Sequence, residues 1–457
     1  MGELDDMKSG GRDRSALVDK LRQVREARSK TFSKAGSKNR KGADTGPQAF
    51  DFASLPAFKQ IRFTQAAGHM LGVPEPFFRS IDSREGAVCI MEGKERINFA
   101  SYDYLGLSGH DGVRAAAVQA AEEWGVSANA SRLVGGERPF HQTLERGIAD
   151  AYGVDDAIAM VSGHATNVTT IGALLGPKDL ILMDQLIHNS IAEGARLSGA
   201  ARLTFPHNDF DWVDETLSRV RGRYERVLIA VEGLYSMDGD FPDLAKFVSV
   251  KRKHDTWLMV DEAHAFGVLG ETGRGIAEMQ EVDPRSVEIW MGTLSKTLAS
   301  CGGYIAGSEA LITYLKFKAP GFVFSVGLSA PAAAAAAAAV QAMLDEPERV
   351  ARLRHNGLRF REKAKEAGLD VGLTEGYAVT PVIIGDSPRA VVAADRLYET
   401  GINALPIIFP AVPEQQARVR FFMTSDHTDA QIDEAVVKTA EIVHALKDVD
   451  FFEKLRG

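Results

Sequence analysis

The chain is expected to fold as an α/β protein, with a mostly parallel seven-stranded sheet in a large domain and a smaller α/β domain at the C-terminus. Three observations predict this. Seven short apolar runs punctuate the middle of the chain, Ala157–Val161, Leu180–Met183, Ala201–Thr204, Val227–Val231, Leu258–Val260, Glu288–Met291 and Tyr304–Ala306. The stretches between them suit crossover helices, which place neighbouring strands parallel and cover both sheet faces. After about Leu353 the pattern becomes helix, strand, helix, with strands near Ala378–Ile384 and Arg418–Phe422.

A length of 457 residues with 45% hydrophobic and 25% charged residues accommodates a large core and more than one structural unit. The net charge of -9 argues against a general nucleic-acid binder. No apolar stretch of about 18 residues is present, which leaves at most peripheral membrane contact. Cys89 and Cys301 form no metal or disulfide pattern, so no metal is expected and the location is read as cytoplasmic. The expected divisions are a basic N-terminal arm (1–48), a lead-in segment (49–105), a large domain (106–345) and a small domain (346–457). Within Gly11–Ala43, Arg12, Arg22, Arg25, Lys34 and Arg40 are among many cations facing few acids, and Leu17, Leu21 and Val24 give Ser15–Arg28 a helical stripe. The arm is either a solvated tail or a dock for an acidic partner or an anionic membrane.

The lead-in carries two short strands, Gly86–Met91 and Arg96–Phe99, about the turn Glu92-Gly93-Lys94. Helical periodicity follows over Gly112–Trp124 and His141–Tyr152, separated by a glycine- and serine-rich loop, Gly125–Glu137, whose Arg132 makes it a candidate active-site wall. Ala332–Ala339 reads as a closely packed helix with Pro331 in its first turn. Asp426-His427 either caps the helix beginning near Asp429 or sits at the site mouth.

In such sheets ligands bind beyond the carboxyl ends of the strands. Ser162-Gly163-His164-Ala165 follows the first run and opens a helix, aiming N–H groups at a phosphate. His188 follows the second run, Glu232–Asp240 the fourth, and Asp261 with His264 the fifth. After the sixth comes Lys296, among Thr293, Ser295, Gly302 and Gly303. A desolvated lysine forms a Schiff base with a carbonyl substrate or with pyridoxal phosphate. That cofactor needs an amine for its aldehyde, a phosphate cradle, a carboxylate at the ring nitrogen and a group over the ring. Lys296, the Gly163–Ala165 turn with Thr293 and Ser295, Asp261 and His188 supply these in that order.

With Tyr104-Leu105-Gly106, Ser131-Arg132, Tyr235-Ser236-Met237-Asp238-Gly239, Val260-Asp261-Glu262-Ala263-His264, Gly292-Thr293-Leu294-Ser295-Lys296 and Arg418-Val419-Arg420 in order, the chain resembles the α-oxoamine synthases. These are fold-type I pyridoxal phosphate enzymes, and the similarity runs from about Asn98 to Lys447. The resemblance implies that Lys296 carries the cofactor and removes the α-proton, while Asp261 pairs with the pyridine nitrogen and His188 stacks on the ring. It puts His264 and Ser236 near the phenolic oxygen and Arg420 on the amino acid's carboxylate. It also implies a homodimer with shared active sites, in which Ser325 of one chain reaches the other's phosphate. The implied reaction is a decarboxylative condensation of an amino acid with an acyl thioester.

Tyr102 and Ser131, read as substrate-binding, resemble the pattern of bacterial serine palmitoyltransferases, so serine and a long-chain acyl group are the favoured substrates, for sphingolipid synthesis. The alternatives are 8-amino-7-oxononanoate synthase, which joins alanine to a pimeloyl thioester for biotin, and a polyketide-associated synthase. Acyl carrier protein is a possible acyl donor, steered by the basic arm. Outside the family stand a fold-type I aminotransferase and a scaffold subunit, the latter disfavoured by the presence of Lys296.

Overall fold

A computed structural model describes residues 51–73, 76–84, 86–449 and 451. The basic arm and its expected helix, Ser15–Arg28, lie outside these residues. The chain divides into two units, Met1–Ala66 and Ala67–Gly457. The described part of the first holds a short 3-10 turn, Phe52–Ser54, capped by Asp51, and the start of helix α1, Pro56–Met70.

The second unit opens with a hairpin, β1 (Val88–Met91) and β2 (Lys94–Asn98), then α2 (Asp111–Trp124) and α3 (Pro139–Tyr152). The central part runs β3 (Asp156–Met160), α4 (Gly163–Leu174), β4 (Leu180–Asp184), α5 (Asn189–Ser198), β5 (Ala201–Phe205), α6 (Phe210–Val220), β6 (Val227–Glu232), α7 (Leu244–Lys253) and β7 (Trp257–Asp261). It continues through α8 (Ile276–Met279), β8 (Ile289–Thr293), β9 (Gly303–Gly307), α9 (Glu309–Lys318), α10 (Pro320–Val323) and α11 (Ala330–Asp345). The sheet order is β3-β9-β8-β7-β6-β4-β5, seven strands as expected, with β9 antiparallel to both neighbours and the others parallel.

Side chains alternate across a strand, so each run feeds two cores. Leu180, Leu182, Ile229, Val231, Leu258, Val260 and Trp290 face one way. Ile181, Met183, Leu228, Ala230, Met259, Ile289 and Met291 face the other, toward α4 and α5. This explains why the strands read as unbroken apolar runs. The same parity puts the end residues Glu232, Asp261 and Thr293 on the α4 side and Asp184 on the opposite side.

The last segment comprises α12 (Pro347–Glu366), β10 (Val379–Gly385), α13 (Ser387–Glu399), β11 (Ile402–Asn403), β12 (Leu405–Ile407), β13 (Ala417–Phe422) and α14 (Asp429–Leu446). It builds an antiparallel sheet, β10-β13-β12, and β11 adds in parallel to β2. The sequence expectation of helix, strand, helix omitted β11 and β12, which are too short to show periodicity. Phe422 N–H donates to Phe99 O at 2.9 Å and Ser425 N–H to Tyr104 O at 2.8 Å. These bonds lay Phe99–Tyr104 along the end of β13.

One local expectation is corrected. The cap of α14 is Thr428, whose hydroxyl accepts from Gln431 N–H while the Gln431 side chain accepts from Thr428 N–H. His427 instead lies buried, stacked on Phe99 at 4.3 Å. Within Gly125–Glu137 the arginine turns inward. The π turn, Arg132–Gly136, buries Arg132 between Glu137 (2.6 Å) and Glu145, which it grips with both terminal nitrogens. Burial opposes the charge, but the two carboxylates hold that guanidinium firmly ionised.

Candidate active site

The carboxyl ends of β3, β6, β7 and β8 and the first turns of α4 and α5 surround a cavity of about 320 Å³. Helix α4 starts there because Ser162, in extended conformation, caps it by accepting from Ala165 N–H at 3.3 Å. Ala165 N–H is thereby taken, and Gly163 and His164 offer the turn's remaining N–H groups to an anion. Close approach at this point demands glycine. A Cβ on Gly163 would lie 2.9 Å from Thr293 Oγ1, and one on Gly303 would lie 2.6 Å from Gly163 Cα. Thr293 Oγ1 and Ser295 Oγ sit 2.7 Å apart at the same rim. Small residues, two hydroxyls and a helix N-terminus converge as a phosphate requires.

Lys296 lies in the turn after β8, on the cavity wall. Burial, with the nearby Arg420 charge and against the pull of Asp261 and Glu232, lowers its pKa to about 8. A lysine so tuned is a usable nucleophile and base near neutral pH. Asp261, at the end of β7, is buried and accepts from Asn167 Nδ2 at 2.9 Å and from Ala263 N–H at 3.0 Å. Asn167 Nδ2 also reaches Ser190 Oγ at 2.9 Å, and Ser190 Oγ lies 2.7 Å from His188 Nδ1. His188 caps α5 through the Ser190 N–H to Nδ1 bond, which makes Nδ1 the acceptor and leaves Nε2 with the proton. Partial burial and the charges of Lys296 and His164 hold its pKa below the usual value despite Asp261, so the ring is neutral at pH 7. Asp261, Asn167, Ser190 and His188 thus form one connected set.

His264 follows one turn after Asp261 and is buried, with Nδ1 2.6 Å from Tyr104 Oη. Burial first, then Lys296 and Arg420, pushes its pKa well down. Arg420, on β13, is also buried, yet among the described residues it has no ion-pair partner. Nη1 donates to Ser236 O at 2.8 Å, Nη2 to Tyr102 Oη at 3.4 Å, and Nε is unpartnered. A buried, unpaired guanidinium is costly and calls for a bidentate carboxylate ligand. Tyr102 spans the gap, its ring 5.6 Å from Lys296 Nζ.

Gly163, His164, His188, Asp261, His264, Thr293, Ser295 and Lys296 therefore share one cavity, and Tyr102 and Arg420 adjoin it. Ala165 and Ser236 are not among the lining residues; Ser236 meets the site through its carbonyl, which accepts from Arg420. Ser131 and Ser325 are not among the residues that line the cavity within one chain. Sequence reasoning passed over Glu232. It is the register partner of Asp261, is buried, lines the cavity and has an unpartnered Oε1. Burial and Asp261 raise its pKa well above the usual range. Its signal was available: a carboxylate ends a fully apolar strand.

Comparisons with known proteins bear on the fold and the family. The family model for aminotransferase class I and II matches residues 94–438. The chain is 37% identical to the 8-amino-7-oxononanoate synthase of Thermoanaerobacter pseudethanolicus, across 78% of this chain and 90% of the relative. The chain belongs to the α-oxoamine synthase family. Among solved structures, a serine palmitoyltransferase from S. paucimobilis bearing PLP-myriocin superposes with a TM-score of 0.83 at 26% identity, covering 87% of this synthase and 100% of that chain. The 8-amino-7-oxononanoate synthase of Francisella tularensis gives a TM-score of 0.66 at 26% identity, with 77% and 99% covered. The α-oxoamine synthase described here is thus a fold-type I, pyridoxal phosphate-dependent acyltransferase. The cofactor supplies an aldehyde and an electron-accepting ring. Among the described residues, no helix is long and apolar enough to cross a membrane.

Proposed function

We propose that this synthase condenses L-alanine with a pimeloyl thioester, releasing carbon dioxide and free thiol to give 8-amino-7-oxononanoate. The observation that carries the reading is the name shared by curated relatives at 37% and 40% identity. This displaces the sequence expectation of serine and palmitoyl substrates to second place. That second reading keeps one support, the higher structural similarity to serine palmitoyltransferase.

In either case the same side chains would act. Lys296 would hold the cofactor's aldehyde carbon and take the amino acid's α-proton. Asp261, braced by Asn167, would face the pyridine nitrogen and keep it protonated. The Gly163–Ala165 turn, Thr293 and Ser295 would hold the phosphate. Ser236 and His264 would lie toward the phenolic oxygen. Arg420 would clamp the carboxylate and orient the Cα–H bond toward Lys296. His188, with its proton on Nε2, would cover the ring and donate to the thioester carbonyl as negative charge develops there. The protein would work as a homodimer, Ser325 and Ser131 acting at the shared site, and the basic arm would guide an acyl carrier protein.

The test is turnover of the cofactor-loaded enzyme with alanine, serine or glycine against pimeloyl and palmitoyl thioesters, following thiol and carbon dioxide. Alanine with pimeloyl thioester is expected to be the best pair. Turnover with serine and palmitoyl thioester alone would overturn this in favour of the second reading, and an oxo acid formed without thiol release would mark an aminotransferase.

A further inference from the structure

Behind the sheet, on the face opposite Asp261, sits an ionic cluster that the cavity does not include. His207, just after β5, lies between two carboxylates: Nδ1 is 2.9 Å from Asp184 Oδ1 at the end of β4, and Nε2 is 2.7 Å from Asp240 Oδ2. Asn208 secures both partners, its N–H donating to Asp184 Oδ2 at 2.7 Å and its Nδ2 to Asp240 Oδ2 at 3.1 Å. Tyr235 packs edge-on against the imidazole at 4.5 Å. Buried charge clusters of this kind add little net stability compared with apolar packing, so what the cluster positions is the informative question.

It positions the turn Tyr235–Asp240. Tyr235 N–H donates to Asp240 O and Gly239 N–H to Tyr235 O, both at 2.8 Å, so fixing Asp240 fixes the turn. The turn's far side holds two arginines of β13. Ser236 O accepts from Arg420 at 2.8 Å, Met237 O accepts from Arg418 at 3.0 Å, and Asp238 pairs with Arg418 at 2.7 Å. A continuous chain of short contacts therefore runs from His207 through Asp240 and the turn to the guanidinium beside the cavity.

We propose that His207 is a positioning residue: by gripping Asp240 it sets the 235–240 turn, whose Ser236 carbonyl aims Arg420 at the amino acid's carboxylate. The proposal rests on the reading of Arg420 given above. Burial alone would lower the pKa of His207, but hydrogen bonds and charge from Asp184 and Asp240 raise it to about 10. The imidazole is thus a fixed cation at neutral pH, and both its N–H groups donate. The groups facing it are Asp184, Asp240, Tyr235 and the uncharged Asn208.

The experiment compares His207→Gln with wild type as cofactor-loaded enzyme. Amide hydrogen exchange at Tyr235 and Gly239 reads the turn. The KM for the amino acid, the KM for the thioester and the affinity for pyridoxal phosphate read the site. Expected are at least tenfold faster exchange at those two amides and about a tenfold higher KM for the amino acid, with thioester KM and cofactor affinity within twofold. Unchanged exchange overturns the proposal. So does faster exchange with an unaltered amino acid KM, because the turn would then not aim Arg420. A parallel loss of cofactor affinity also overturns it, as the sign of a general structural role. If His207→Gln fails to fold, Asp240→Asn, which leaves His207 and Asp184 paired, is held to the same outcomes. Wild-type enzyme that binds no amino acid would sink the reading of Arg420 and the proposal with it, a failure visible before any variant is made.

Discussion

Lys296 shows how one environment sets both chemistry and stability. Its pKa of about 8 lies below the usual 10.5, so the folded protein disfavours the ammonium form. The resulting stability cost is full below pH 8 and fades as pH rises toward 10.5, because in that window the unfolded chain holds the proton and the folded one does not. Cofactor-free Lys296→Met is therefore expected to be more stable than wild type at pH 7, on the order of 1–3 kcal/mol, with the gain shrinking toward pH 10. Urea unfolding at the two pH values checks this; an equal gain at both would mean that the lysine is not held at a depressed pKa. His207 works with the opposite sign. Its raised pKa contributes stability that is full below about pH 6.5 and lost as pH rises through about 10. Lys296, Asp261 and His188 were legible in the sequence because each stands just past an apolar run. Glu232 was equally placed at a strand end, and the structure adds its register with Asp261 and its unpartnered oxygen.

At the scale of elements, the strand ends and helix starts do the positioning. Gly303 on β9 passes so close to Gly163 that Gly303→Ala would push α4 off the sheet. The expected result is at least a tenfold weaker affinity for pyridoxal phosphate, measured by titration of the cofactor-free protein; unchanged affinity would count against the phosphate cradle. The π turn at Arg132 is the element whose packing sequence reading could not supply. Glycine and serine around Arg132 signal a loop, and nothing local says that Glu145, one helix later, turns inward to meet it. Removing that cation leaves Glu145 buried without its partner. Arg132→Ala is expected to cost about 3–5 kcal/mol in denaturant unfolding, far more than loss of a surface arginine.

At the scale of the molecule, Phe324 and Val134 are both 86% exposed, and Gly327 N–H to Ala130 O (3.0 Å) holds their two segments together. Two apolar side chains this exposed on joined segments are a candidate contact face. Read as the face of the proposed homodimer, it places Ser325 beside the contact. Phe324→Glu is expected to shift the protein to monomer in sedimentation and to weaken cofactor retention; a variant that stays dimeric would place the interface elsewhere.

The sequence by itself determined the α/β class, the central strands to within about two residues, and the lysine, aspartate and histidine at their ends. Apolar runs bounded by polar ends are local, and a parallel sheet needs little else to be recognised. The tertiary structure alone decided which strand-end residues share a face, that Arg132 and His427 turn inward, and that Arg420 arrives from a strand more than a hundred residues after Lys296 to stand unpaired beside the cavity. Those facts depend on strand parity, register and long-range packing, which no local pattern encodes.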